Sequence, residues 1–223
     1  MVRPVDELTQ VDRPAWPGLR EAIDASSSDV RVLPVERATG ERVIERLQVT
    51  AASALGALAL ETGGILVDCG WLRILGGGAD GLASLASAND LEAPTGDTQP
   101  PPALVVAWDV IGGRFAIDGG GLGVAAGQVC YFAPDSLRWE GLDLGHGDFV
   151  HAMVTGATST FYDGLRWPGW EDDCEALALD HGFAQYPPPF SAEGQDPAQV
   201  SRRPVPITEL FAFHDDAARQ LGS

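Results

Sequence analysis

Lysine is absent from this chain. All 14 of its basic residues are arginine, set against 32 aspartates and glutamates, which gives a net charge of −18. Without lysine there is no Gly-Lys-Ser/Thr phosphate-binding loop, and a surface this acidic repels nucleic-acid backbones and anionic lipid while steering a cationic protein toward itself. Long apolar runs are also missing. The best candidate, residues 51–60, is interrupted by Ser53 and Gly56 and falls short of the roughly 18 residues a membrane helix needs. Residues 1–16 show no cationic start followed by an apolar stretch, so no signal peptide is expected. Cysteine is scarce: Cys69, Cys130 and Cys174 are odd in number and form no CxxC pair. That pattern predicts free thiols in a reducing compartment. The expectation from these absences is a soluble, cytoplasmic protein with no nucleic-acid or membrane partner.

What is present supports a folded core. The chain is 45% apolar, and 27 glycines with 16 prolines predict many turns, hence strands and loops as well as helices. Two helical pieces are expected within 5–24, restarted by Pro14 and Pro17. A short strand is expected at 30–35, and helices at 41–47 and 54–61, the latter capped by Ser53. Residues 65–68 and 71–75 read as a hairpin around Cys69 and Gly70. The densest strand signal is the succession 103–110, 114–118, 128–132 and 139–142, broken by glycine turns, which favours an antiparallel meander. Short helices are expected at 148–154 and 159–165, an acidic helix start at 171–173, an extended stretch at 186–189, and a final helix from Thr208 to Leu221. The fold class is therefore α+β: a curved, mainly antiparallel sheet of about five to seven strands flanked by helices at both chain ends. Residues 1–223 read as one domain, with 79–102 a surface excursion and 164–223 a C-terminal helical extension packed on the sheet.

The chemistry-bearing residues form no strong motif. Gly119-Gly120-Gly121-Leu122-Gly123 lies between two strands, not between a strand and a helix, so it predicts a hairpin loop and not a nucleotide cradle. Asp109 and Asp118 stand at strand ends, where aspartate accepts backbone hydrogen bonds. His146 and His151 are five residues apart, which does not stack two imidazoles on one helix face. With His181 and His214 they read as surface or half-buried histidines, and no metal site or cofactor is expected. Cys130 and Cys69 sit in apolar runs, where thiols are inert. The most suggestive surface feature is the turn Trp167-Pro168-Gly169-Trp170 followed by Glu171, Asp172 and Asp173. Aromatics beside acids suit an arginine- or lysine-rich partner; the alternative is that both tryptophans seal the sheet against the C-terminal helices.

Two resemblances add to this reading. VVAWDVIGGRFAID (105–118), with its D-x-x-G-G turn, the strand at Val129, Trp139 and a helix carrying Phe149, looks like the SUKH superfamily, as does Thr62-Gly63-Gly64. The segments 46–78, 131–140, 161–171 and 202–210 more closely resemble a bacterial family known as domain of unknown function 2625. The SUKH likeness implies an α+β protein-binding module, with immunity proteins against toxins among its relatives, and carries over no catalytic residue. The expected function is thus a non-enzymatic, acidic protein-binding module with a basic partner, contacted through Trp167, Trp170, Glu171, Asp172 and Asp173. The alternative is an enzyme or small-ligand binder with a site near the turns at 109–123, using Asp109, Asp118, His146 or Cys130.

Overall fold

The computed structural model describes residues 2–91, 101–124 and 126–222. Its centre is an open seven-stranded antiparallel sheet in which every strand pairs with its sequence neighbour. The strands are β1 (Val30–Leu33), β2 (Gly64–Val67), β3 (Leu72–Leu75), β4 (Ala103–Asp109), β5 (Arg114–Asp118), β6 (Val129–Ala133) and β7 (Arg138–Gly141). β2, β3 and β6 are buried along their whole length. Their runs, apolar apart from Arg73 of β3, fit a sheet covered on both faces.

Helices α1 (Val5–Thr9), α2 (Trp16–Asp24), α3 (Arg37–Leu47) and α4 (Ala54–Glu61) are contributed by the N-terminal quarter of the chain. α4 is buried from Leu55 to Leu60, and Ser53 caps it by accepting the Gly56 amide at 3.1 Å. α3 begins before the expected 41–47. Gly40 looks like a helix breaker in the sequence, but it is buried, and a Cβ there would lie 2.6 Å from the Leu60 carbonyl. It is the point where α3 and α4 backbones touch.

The connection between β3 and β4 was expected to be a surface excursion over 79–102. Its first part is instead core: Leu82, Leu85 and Ala86 are at most 3% exposed. Asn89 donates to the Val105 carbonyl at 2.8 Å and accepts its amide at 2.7 Å, completing the ladder beside the bulge of β4. Residues 92–100 of that expectation lie outside the described residues.

After β7 come α5 (His146–Ala152), a π-turn at Met153–Ala157, α6 (Thr158–Phe161) and α7 (Trp170–Ala176). The C-terminal segment, expected to be helical, contains a second sheet: β8 (His181–Tyr186) pairs antiparallel with β9 (Ser201–Pro206) before the last helix, α8 (Ile207–Leu221). This hairpin is stitched to the main sheet at Val110, whose amide donates to Trp71 at 3.0 Å and whose carbonyl accepts from Phe183 at 2.6 Å. Arg73 of β3, fully buried, reaches the same hairpin with bonds of 2.7 Å to the Leu179 carbonyl and 2.6 Å to that of His181. One core cluster runs from Leu8 to Leu210.

Candidate functional site: the two faces of the C-terminal hairpin

Strand alternation divides the β8–β9 hairpin into two chemical faces. The register pairs Gly182 with Val205, Ala184 with Arg203 and Tyr186 with Ser201, so these six share one face. His181, Phe183, Gln185, Arg202, Pro204 and Pro206 share the other. A Cβ on Gly182 would lie 2.8 Å from Ile207 Cδ1 and 3.0 Å from Leu210 Cδ2, so the glycine lets α8 settle on the first face. The Phe183 amide bonds to Val110 and so points away from β9, which places the Pro204 and Pro206 nitrogens on the outer edge of β9. Proline has no N–H there to recruit another strand.

The second face meets the tryptophan turn. Phe183 packs edge-on against Trp167 at 5.3 Å, and the Arg202 guanidinium lies 4.2 Å over the Trp167 ring. Trp167 is only 2% exposed, and its indole N–H donates to Asp173 at 2.7 Å. Trp170 is half-buried, 5.5 Å from Trp71, with Arg166 4.2 Å over its ring and paired to Asp68. Both tryptophans therefore seal the sheet, and Trp167 offers no surface to a partner. Glu171, Asp172 and Asp173 are exposed in the first turn of α7, where carboxylates complement the helix dipole. Of the five residues expected to meet a partner, the acids stand outside and the aromatics brace them.

The first face borders a cavity of about 490 Å³ between β9 and α8, reached by Ser201, Arg203, Val205, Leu210, Phe213 and His214. A second cavity of about 280 Å³ shares Ile111, Gln185 and Pro189 with it and extends toward Ser136 and Gln195. Ile111 belongs to the D-x-x-G-G turn, so that turn adjoins open space, through Ile111 and not through a carboxylate, while the turn at 119–123 lines neither cavity.

Asp109 and Asp118 have another task. Asp109 is fully buried; one oxygen accepts the amides of Ile111 at 3.1 Å and Gly113 at 2.7 Å, and the other accepts the Tyr131 hydroxyl at 2.8 Å. Burial pushes its pKa up to about 6, against the lowering effect of these bonds. Asp118 accepts the amides of Gly120, Leu122 and Val124 at 2.6–3.1 Å and so organises the glycine loop. Cys130 is buried with its pKa raised, chiefly by burial. Cys174, also buried, is pushed up to about 12, while Cys69 is half-buried and raised to about 11. The structure brings none of Asp109, Asp118, His146 and Cys130 together as a reactive set.

Two histidines meet the expectation, His151 exposed and His181 half-buried, and two depart from it. His146 is buried with neither ring nitrogen hydrogen-bonded among the described residues, and burial lowers its pKa to about 4. His214 is 1% exposed and also lowered to about 4, by burial and then by Arg114, against the backbone bond it makes at Gly112. No group of three or more His, Cys, Asp or Glu among the described residues could hold a metal ion. Among them, too, no helix is long and apolar enough to cross a membrane. Sequence reasoning passed over Arg203 and read His214 as a surface or half-buried histidine. The available signal was the alternation in Ser201-Arg202-Arg203-Pro204-Val205-Pro206, masked by its prolines.

Comparison with known proteins matches residues 5–210 to the model of the DUF2625 family, described as proteins of unknown function. The chain belongs to that family. It is similar to the uncharacterized protein YbfG of Escherichia coli (strain K12), 35% identical over 215 residues and 94% of each chain. It is also 35% identical over 184 residues to an uncharacterized protein of Haemophilus influenzae, covering 82% of this chain and 81% of that one. No solved structure matches.

Proposed function

We propose that the chain is a non-enzymatic, acidic protein-binding module that captures a basic protein, of the kind found among toxin-immunity proteins. The observation that carries this reading is the braced acidic turn of α7. Glu171, Asp172 and Asp173 project outward from a buried platform in which Asp173 holds Trp167 at 2.7 Å. A fixed cluster of charge costs less to desolvate and order than a mobile one, and net charge of −18 accelerates encounter with a cationic surface. The use of Asp109 and Asp118 as backbone-organising groups also favours binding over chemistry. The D-x-x-G-G turn joining β4 and β5, as in SUKH proteins, adds the immunity reading.

The absence of lysine supplies a clean test. A carbodiimide joins this chain's carboxylates to a partner's lysines, and the chain has no lysine of its own to compete. Treated in host cells, the wild-type chain is expected to form an adduct with one basic protein through Glu171 or Asp172. The Glu171→Gln, Asp172→Asn variant is expected to lose most of it, with a weaker salt dependence of binding. Adducts scattered over the surface and indifferent to the variant would overturn the reading.

A further inference from the structure

We propose that the cavity between β9 and α8 is a binding site for a small amphipathic monocarboxylate. Its apolar body rests on Val205, Leu210 and Phe213, and its carboxylate meets Arg203. The site is on the opposite face of the hairpin from the acidic turn and does not depend on the protein-partner reading.

The volume, about 490 Å³, falls in the range of small-molecule sites. The lining is that of such a site as well: an apolar floor with a few polar groups placed at its margin. His214, 1% exposed, stands in the cavity wall, and burial keeps its imidazole neutral near pH 7, so it adds no further positive charge to the lining.

The strand register selects the cation. Arg202 and Arg203 are adjacent, but Arg202 is turned to Trp167 and bonds the Pro197 carbonyl at 2.5 Å. Arg203 shares the face of Val205, is exposed, and makes no ion pair among the described residues. It is therefore a free guanidinium at the mouth of an apolar cavity, in a chain where acids outnumber arginines by more than two to one. A guanidinium takes a carboxylate in bidentate fashion. Glu209, on the same cavity, disfavours a second negative charge, which limits the ligand to a monoanion. Phe213, 47% exposed on α8 and 5.8 Å from Phe190, gives the apolar body an aromatic wall.

The test uses N-acetylphenylalanine, titrated into the isotope-labelled full chain and followed by amide chemical shifts. Shifts are expected in 182–186, 201–205 and 210–214. The analogue N-acetylphenylalaninamide lacks the carboxylate and is expected to bind about tenfold more weakly, since it loses the charge-assisted pair. Arg203→Ala, at an exposed position that leaves the fold intact, is expected to weaken the acid by about tenfold and leave the amide unchanged. Ala184→Trp fills the cavity and is expected to abolish binding of both, while the shifts of β1–β7 confirm the fold. Equal binding of the two compounds, no response to Arg203→Ala, or no shifts at millimolar concentration would each sink the proposal.

Discussion

The hydroxyl of Tyr131 on β6 donates a hydrogen bond of 2.8 Å to Asp109 at the end of β4, inside a core where neither residue is more than 6% exposed. Asp109 in turn holds the amides of Ile111 and Gly113, so the tyrosine supports the whole D-x-x-G-G turn. Tyr131→Phe leaves one buried carboxylate oxygen without its donor and is expected to cost about 1–3 kcal/mol in urea unfolding. The loss should be larger at pH 8 than at pH 5. Removing the donor raises the Asp109 pKa further above its present value of about 6, and the penalty is felt only where the group must ionise.

A second prediction concerns acid stability. His146 and His214 have folded pKa values near 4 against an ordinary 6.5, so between those values the unfolded chain binds more protons and stability falls as pH falls. Asp109 has the opposite sign: raised from 3.8 to about 6, it favours the folded state as pH falls through that window. Two histidines outweigh one aspartate. The difference in unfolding free energy between wild type and His146→Leu is expected to shift by about 3 kcal/mol in favour of the variant from pH 7 to pH 4. A difference profile flat across that range would contradict the buried, unpartnered state of His146.

Gly182→Ala tests how α8 is seated. The added methyl meets Ile207, Leu210 and the Val110 carbonyl at 2.8–3.0 Å. The expected cost is about 1–3 kcal/mol. Hydrogen exchange should quicken in β8 and α8 first, with the protection of β2–β6 retained.

Pro204→Val tests the edge of the hairpin. It restores an N–H where β9 presents none, on a strand already extended and exposed. Concentration-dependent self-association is expected by light scattering, with little change in unfolding free energy.

The meander was legible because its signals are local. β2 to β6 are largely apolar or β-branched runs separated by turns rich in glycine, aspartate or proline, and each pairs with the next run in sequence. The hairpin was not legible. β9 carries Pro204 and Pro206, which argue against a strand unless one edge is known to be free, and β8 puts Gly182 and Ala184 on the face that α8 covers. Helix α3 starts at Arg37, ahead of the expected 41–47, and Gly40 inside it is a point of contact with Leu60. That the acids of the tryptophan turn form an exposed cluster was legible because charge is visible in the sequence. The cavity was not, since Arg203 and His214 meet only through tertiary packing between β9 and α8.

Of the three carbonyls that Arg73 bonds, one belongs to nearby Gly70 and two lie 106 and 108 residues downstream. With the hairpin undocked, that guanidinium keeps only the Gly70 carbonyl and turns its other N–H groups to water, so seating the hairpin on the sheet is in part a dehydration. A chain truncated before Leu179 is expected to leave the seam wet and to be cut faster by protease than the full chain.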